Sequence, residues 1–267
     1  MQSSQVSVPD ESTPDDERPG FRESAFEAIL AVATLTSWRI LDENRQGSAE
    51  QRARATLFLP IPALMLGVAL ALIDHSLTGL TQPLLRSAIV VAVALLTTGA
   101  MYPVGLAHAI GELRAGSRPS WTGLTEVGPG GALAAITFVA LEILMLASVH
   151  HPPARARALV LATMLSRWAI VPVGYGLKPL ERWGLGVPWE GGIKFREFAG
   201  SSVIALGIAM GLYQVIAIGV IVVMALMILM LRLLFSRRLK GVAGFALAAG
   251  AAMCELAALA VLAAIRF

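Results

Sequence analysis

The chain has 267 residues, of which 56% are hydrophobic and only 15% are charged, and its formal net charge is +3. A soluble domain carries about 25% charged residues, so this composition excludes an ordinary soluble fold. Repeated apolar runs of about 18 residues or more instead predict an all-α polytopic transmembrane helical bundle. The single cysteine, Cys254, excludes an internal disulfide and a thiolate metal cluster. We attribute the small positive charge to loops beside the membrane, not to a nucleic-acid partner.

The N-terminal part of the chain differs in composition from the rest. The first 22 residues are rich in Ser, Pro, Asp and Glu and predict a disordered acidic tail. Residues 23–267 then form a single integral membrane helical domain in contact with lipid. Within it, residues 26–41 predict an amphipathic helix that is too short to span comfortably, and residues 42–54 predict a charged loop.

Seven spans are predicted from the apolar runs. The stretch 201–235 is 35 residues long, too long for one span, and Gly211 and Gln214 favour a turn that divides it into two helices. If it is one tilted helix, the count falls to six. Pro60 and Pro62 are expected to kink or shorten the start of the first span. The predicted spans cover residues 56–73, 86–110, 130–149, 157–175, 201–235 as two helices, and 241–265.

The distribution of loop charges predicts the orientation. If the N-terminus is cytoplasmic, most loop arginines and lysines lie on the cytoplasmic side, as the positive-inside rule requires. This predicts an integral protein of the bacterial cytoplasmic (inner) membrane. The stretch from Gly99 to Leu113 and the turn from Ser236 to Phe245 then open on the same, cytoplasmic side, where they could form one site.

The segment from Gly99 to Leu113 is where a membrane enzyme would place acidic metal ligands against a phosphate substrate. Val104, His108 and Gly111 follow at i, i+4 and i+7, on one side of a continuing helix. None of the three is a carboxylate.

Three strings occur in an order typical of a known family. Residues 103–112 are similar to the acidic motif Leu-Asp-Gly-Leu-Ala-Asp-x-x-Asp-Gly and keep its Gly105, Leu106 and Ala107. The string Leu165-Ser166-Arg167-Trp168 is present unchanged, and residues 240–245 are similar to a late Gly-Gly-x-Thr-Gly-Asp motif. On these strings the chain resembles the cobalamin synthase family, adenosylcobinamide-GDP ribazoletransferase, over residues 31–267.

The resemblance implies a Mg²⁺-dependent transferase in the last steps of cobalamin biosynthesis. Members of that family join α-ribazole or its phosphate to adenosylcobinamide-GDP and release GMP, and carboxylate-held Mg²⁺ would neutralise the charge that develops on the phosphoryl oxygens. Here the motif aspartates fall on Val104, His108, Gly111 and Phe245. The acidic motifs are therefore lost in a chain that otherwise follows the family pattern.

Several residues remain as candidate ligands of a metal. His108, Glu112 and Glu255 are the candidates on or near the cytoplasmic side, although an imidazole favours zinc or another transition metal over Mg²⁺. The alternative, which the sequence favours, is that His108 is a polar residue at the membrane interface. Glu255 lies in the middle of a span, where a carboxylate needs a partner or a proton.

The candidate substrate-binding residues are Arg167, Lys240, Gly105, Gly241 and Gly244. Arg167 either holds a phosphate or carboxylate of the substrate, or pairs with Glu142 or Glu255 within the bundle. Lys240 either contacts a diphosphate or anchors a helix at the interface, and the glycines also suit close helix packing.

Two functions of different classes follow from the sequence. One is an active transferase that uses Mg²⁺. The other is a catalytically inactive relative that acts as a membrane binding or scaffold protein, with a corrinoid nucleotide or other cobalamin-pathway proteins as partners. Family membership favours the first, and the missing aspartates favour the second.

Overall fold

The computed structural model describes residue 32 and residues 49–79, 82–115, 127–177, 192–238 and 244–265. The predicted tail, the predicted amphipathic helix apart from Val32, and the candidates Lys240 and Gly241 lie outside these residues. Every regular element within them is helical. The α-helices are α1 (Ala49–Ala55), α2 (Pro60–Ser76), α3 (Pro83–Thr98), α4 (Met101–Ala115), α5 (Pro129–Ser148), α6 (Pro152–Trp168), α7 (Ile170–Gly174), α8 (Phe195–Tyr213), α9 (Val215–Arg238) and α10 (Gly244–Ala264), with a 3₁₀ turn at Thr56–Phe58.

The membrane-spanning helical bundle predicted from the sequence is confirmed. Five helices of the described chain are long and apolar enough to cross a membrane, and two bent helix pairs bring the number to as many as seven. The division of residues 201–235 is confirmed too, because α8 and α9 separate at Gln214, whose φ is +47°. The predicted loop at residues 42–54 is wrong for its last part, since Ala49–Ala55 is helical.

The predicted second span is not one straight helix. It breaks between α3 and α4 with a bend of 78°. Gly99 ends α3 in the left-handed conformation at φ +61°, which costs glycine little, and Ala100 follows at φ +53°. Pro103 then lies in the first turn of α4, where its missing N–H is tolerated. The bend makes residues 101–115 a separate helix.

Two helices occupy the centre of the bundle. One is α6 with its continuation α7, and the other is α10. Most residues of both are buried. The other spans surround them: α2 packs chiefly on α6, and α4 and α9 pack on α10. Outer helices expose large apolar side chains such as Leu72, Leu96 and Val203, which face lipid in a membrane-spanning protein.

Small residues allow α4 and α10 to approach closely. Gly105 is buried, and a Cβ built on it would lie 2.5 Å from Ala248 Cβ and 2.9 Å from the carbonyl oxygen of Phe245. In membranes, small residues at helix contacts permit backbone approach and good van der Waals packing. Gly105 thus fixes the distance between the two helices.

We expect Gly105→Ala to lower the free energy of unfolding by about 1–3 kcal/mol, because the added methyl group overpacks this contact. The midpoint of unfolding by SDS in mixed micelles measures the change. Gly111→Ala is the matched control on the same helix, since a Cβ added there would have nothing within 4 Å, and it should be neutral or stabilising. Equal effects of the two substitutions would show that intrinsic helix propensity, not packing, determines the result.

A buried ion network joins four helices at the end of the bundle opposite to the start of α10. Arg155 is fully buried, and its Nε donates to both carboxylate oxygens of Asp74 at 2.8 and 3.0 Å. Its other nitrogens donate to Ser87 Oγ at 2.9 Å and to the carbonyl oxygen of Leu146 at 2.5 Å. Arg86 Nε lies 3.2 Å from the same Asp74 carboxylate. The network holds α2, α3, α5 and α6 together through one acid.

Candidate functional site

The structure brings the first and last motif segments together. Gly105 contacts the first turns of α10, and one turn later the ring of His108 lies 6.5 Å from the ring of Phe245, measured between centroids. We call this end of the bundle, defined by His108 and Phe245, the motif end. The two segments are more than 130 residues apart in the sequence, so their contact is a property of the fold.

The side chains at the motif positions cannot supply oxygen ligands. Val104 is 40% exposed, His108 is half-buried, and Phe245 is buried against α4. Glu112, one turn beyond His108, is the only acid of α4; it is buried, and its Oε2 has no hydrogen-bond partner among the described residues. One buried carboxylate beside an imidazole does not resemble the oxygen-rich sites that Mg²⁺ prefers.

The structure does not bring Glu255 to the other two metal candidates. It lies ten residues beyond Phe245 on α10, which at 1.5 Å per residue is roughly 15 Å deeper in the bundle. Metal ligands lie about 2–2.6 Å from their ion, so a single ion cannot join side chains at these two levels. In the described ranges, no three His, Cys, Asp or Glu side chains are grouped so that they could hold a metal.

Glu255 instead forms an ion pair with Arg167 in the centre of the bundle. Arg167 Nη1 lies 2.6 Å from Glu255 Oε1 and 2.6 Å from Ser166 Oγ. The guanidinium carbon is 4.3 Å from the centroid of the Tyr102 ring, a cation–π geometry. Arg167, Glu255 and Tyr102 come from three different helices, α6, α10 and α4 respectively. Ser166 is the neighbour of Arg167 on α6. The sequence left Glu142 and Glu255 open as partners of Arg167, and the direct contact is with Glu255.

Glu142 on α5 is the third ionisable group of this central cluster. It is buried and interacts electrostatically with both Glu255 and Arg167. Together with Glu255 and Thr163 it lines a narrow cleft whose other walls are apolar side chains of α2, α3, α5, α6 and α10. We call Arg167, Glu255 and Glu142 the central triad.

The remaining candidates lie mostly at helix contacts or outside the described chain. Gly105 is buried by α10, and Gly244 is the first residue of α10. Sequence reasoning did not find Tyr102, although its position three residues before Gly105 places it on the same face of α4.

Arginines accumulate at the motif end. Arg114 lies in the last turn of α4, against the backbone of Gly130 at the start of α5. Arg237 and Arg238 end α9 and are exposed. They lie near the motif end because only five residues separate α9 from α10, and five residues reach at most about 18 Å. Within the part of the chain that the structure describes, these arginines place cationic charge at the motif end.

Comparison with known proteins matches the chain to a protein family. A family model described as cobalamin-5-phosphate synthase matches residues 27–263. No curated protein and no solved structure matches the chain.

Proposed function

The chain belongs to the cobalamin-5-phosphate synthase family, and on that premise we propose that it is a membrane-embedded binding protein of cobalamin biosynthesis that holds a corrinoid nucleotide without transferring it. The family match covers nearly all the membrane bundle, so the resemblance stated above is confirmed at the level of the family. The proposed location is the bacterial cytoplasmic membrane, with the N-terminus and the motif end on the cytoplasmic side. The bias of loop charges supports this orientation.

The donor set at the motif end carries the proposal. Transfer to a diphosphate needs cations that neutralise charge on the phosphoryl oxygens and orient the leaving GMP. The residue types at Val104, His108, Gly111 and Phe245 give Mg²⁺ no carboxylate, and Glu112 is a single acid. The family's magnesium chemistry does not fit these residues.

The charges that remain at the motif end suit binding. Arg114, Arg237 and Arg238 can donate charge-assisted hydrogen bonds directly to phosphate oxygens, and a guanidinium can do so through two parallel N–H groups. Without neighbouring motif acids, a diphosphate meets a cationic surface and needs no bridging metal. The corrinoid nucleotide is the family substrate that carries such a diphosphate.

The test is equilibrium binding of adenosylcobinamide-GDP to the protein in lipid nanodiscs, with Mg²⁺ or with EDTA. We expect the same Kd in both conditions, because no metal mediates the contact. The double variant Arg237→Gln, Arg238→Gln should bind at least about tenfold more weakly, since a charge-assisted hydrogen bond contributes about 1.5–3 kcal/mol.

Arg157→Gln is the matched control, because Arg157 is an exposed arginine near the start of α6, at the opposite end of the bundle. It should leave the Kd unchanged. Binding that requires Mg²⁺ and disappears in Glu112→Gln would contradict the proposal and indicate a retained metal site. Failure to bind, together with co-purification of other cobalamin-pathway proteins, would favour the scaffold function instead.

A further inference from the structure

The central triad has one more acid than it has cations. Among the described residues, Arg167 is the only basic residue that interacts with Glu142, and its guanidinium is already 2.6 Å from Glu255. Glu142 is therefore left without a counter-charge of its own in this part of the chain. It lies six residues before the end of α5, roughly 9 Å along the helix from Ser148, and so well inside the predicted span.

The surroundings of Glu142 provide no substitute for a cation. The helices packed around it contribute apolar side chains to the cleft: α2 contributes Leu70, and α3 contributes Val90, Val91 and Ala94. From α6 the polar neighbour is the Thr163 side chain, and from α10 it is Glu255 itself. Tyr102 of α4 stacks on Arg167. No hydrogen bond to the Glu142 carboxylate occurs among the described residues.

An ionised carboxylate in such a place is strongly disfavoured. Burial in an apolar environment penalises the charged form unless it is paired and hydrogen-bonded, and neighbouring Glu255 adds repulsion between like charges. One bound proton removes both penalties and balances the triad, because Arg167 and Glu255 then neutralise each other and Glu142 is neutral.

We propose that Glu142 is a proton-binding site in the membrane interior, at the cleft that it lines together with Glu255 and Thr163. The ligand is a single proton held by the Glu142 carboxyl group. The ion pair between Arg167 and Glu255 keeps Glu142 protonated. Arg167 is the one cation of the triad, and because it is paired with Glu255 it does not neutralise Glu142. Protonation of Glu142 is independent of whether the motif end binds or transfers a corrinoid.

Infrared difference spectroscopy tests the proposal, since a protonated carboxyl group has a C=O stretch that an ionised carboxylate lacks. The spectrum of the full-length protein in nanodiscs at pH 7 is compared with that of Glu142→Gln. We expect the substitution to remove a protonated-carboxyl band, and we expect this band to shift to lower frequency in D₂O when deuterium replaces its proton. Glu50→Gln is the control, because Glu50 is exposed and paired with Lys194, and it should leave the band unchanged.

If Glu142→Gln instead removed the bands of an ionised carboxylate and left the protonated-carboxyl C=O band, the proposal would be overturned, because Glu142 would then be ionised.

If that variant does not fold, the unmodified protein is treated with dicyclohexylcarbodiimide, an apolar reagent. The protonated acid adds its O–H across a C=N bond of the carbodiimide, and the adduct rearranges to a stable N-acylurea. A mass increase on the peptide that contains Glu142 supports the proposal. Absence of the adduct, when the reagent is present in the lipid, contradicts it.

Discussion

Replacing Asp74 with asparagine is expected to lower the free energy of unfolding by about 3–5 kcal/mol, the range typical of breaking a buried ion pair from one side. Asp74 is the one acid between two buried arginines: Arg155 Nε lies 2.8 Å and Arg86 Nε 3.2 Å from its Oδ1. Without its charge, two guanidinium groups face each other inside the bundle. SDS unfolding in mixed micelles measures the change.

Glu50→Gln is the control for this prediction. Glu50 also has two basic partners, Arg54 at 3.2 Å and Lys194 at 3.3 Å, but its side chain is 57% exposed. Water and salt screen such pairs, so the expected change is about 0–1 kcal/mol. If both substitutions reduced stability equally, the buried network would not be what joins α2, α3, α5 and α6.

Arg167→Met should have an effect of similar size, about 3–5 kcal/mol, because it leaves Glu255 buried without its partner. The substitution also removes the cation–π contact with Tyr102, whose ring centroid lies 4.3 Å from the guanidinium carbon. We expect a lower midpoint of SDS unfolding with a preserved helical circular-dichroism spectrum at the start of the titration.

The double variant Arg167→Met, Glu255→Met separates charge from packing. Apolar replacement of a complete buried pair is often neutral or stabilising, so the second substitution should restore most of the lost stability. If the stability changes of the two single substitutions simply added in the double variant, the broken ion pair would not explain the lost stability. The alternative that Arg167 binds a ligand would then regain support.

The positions of the spans could be predicted from the sequence, whereas the faces of the helices could not. Apolar length identified the regions of α5, α6, α9 and α10, and Gln214 marked the division of the longest run. In a membrane, however, outward-facing side chains are as apolar as inward-facing ones, so periodicity does not show which face is buried. Leu72 and Leu70 illustrate this, since one is 64% exposed and the other 3%.

The bend at Gly99 was missed because hydropathy continues through it without interruption. A glycine followed four residues later by Pro103 is a local signal for a helix end and a new start. The signal is weak in membranes, where helices tolerate both residue types. The bend matters for the site, because it allows α4 to pack along α10.

The sequence predicted the contact between the motif segments but left the partner of Arg167 open. Loop topology placed both motif segments at one end of the bundle, and His108 does lie beside Phe245. The choice between Glu142 and Glu255 needed the rotation of α5 and α10 about their axes, which one sequence does not determine. The network of Asp74, Arg86 and Arg155 was also missed, although the predicted topology puts all three at the same end.

The chain is a member of this family with a membrane-spanning helical bundle, in which Val104, His108, Gly111 and Phe245 stand at the motif positions. The close contact at Gly105 and the ion pair of Arg167 are structural features of the bundle and do not depend on the motif acids. The fold can therefore persist after the loss of those acids, which is what the proposed binding function requires.

The most direct test is GMP release from adenosylcobinamide-GDP in the presence of α-ribazole and Mg²⁺. The protein is assayed in nanodiscs beside a family member that keeps the motif aspartates. We expect no GMP above the protein-free background from this chain and clear turnover from the reference. Release of GMP coupled to formation of the joined corrinoid would contradict the proposal. Loss of that GMP release in the Glu112→Gln variant would then identify Glu112 as the metal ligand that replaces the motif aspartates.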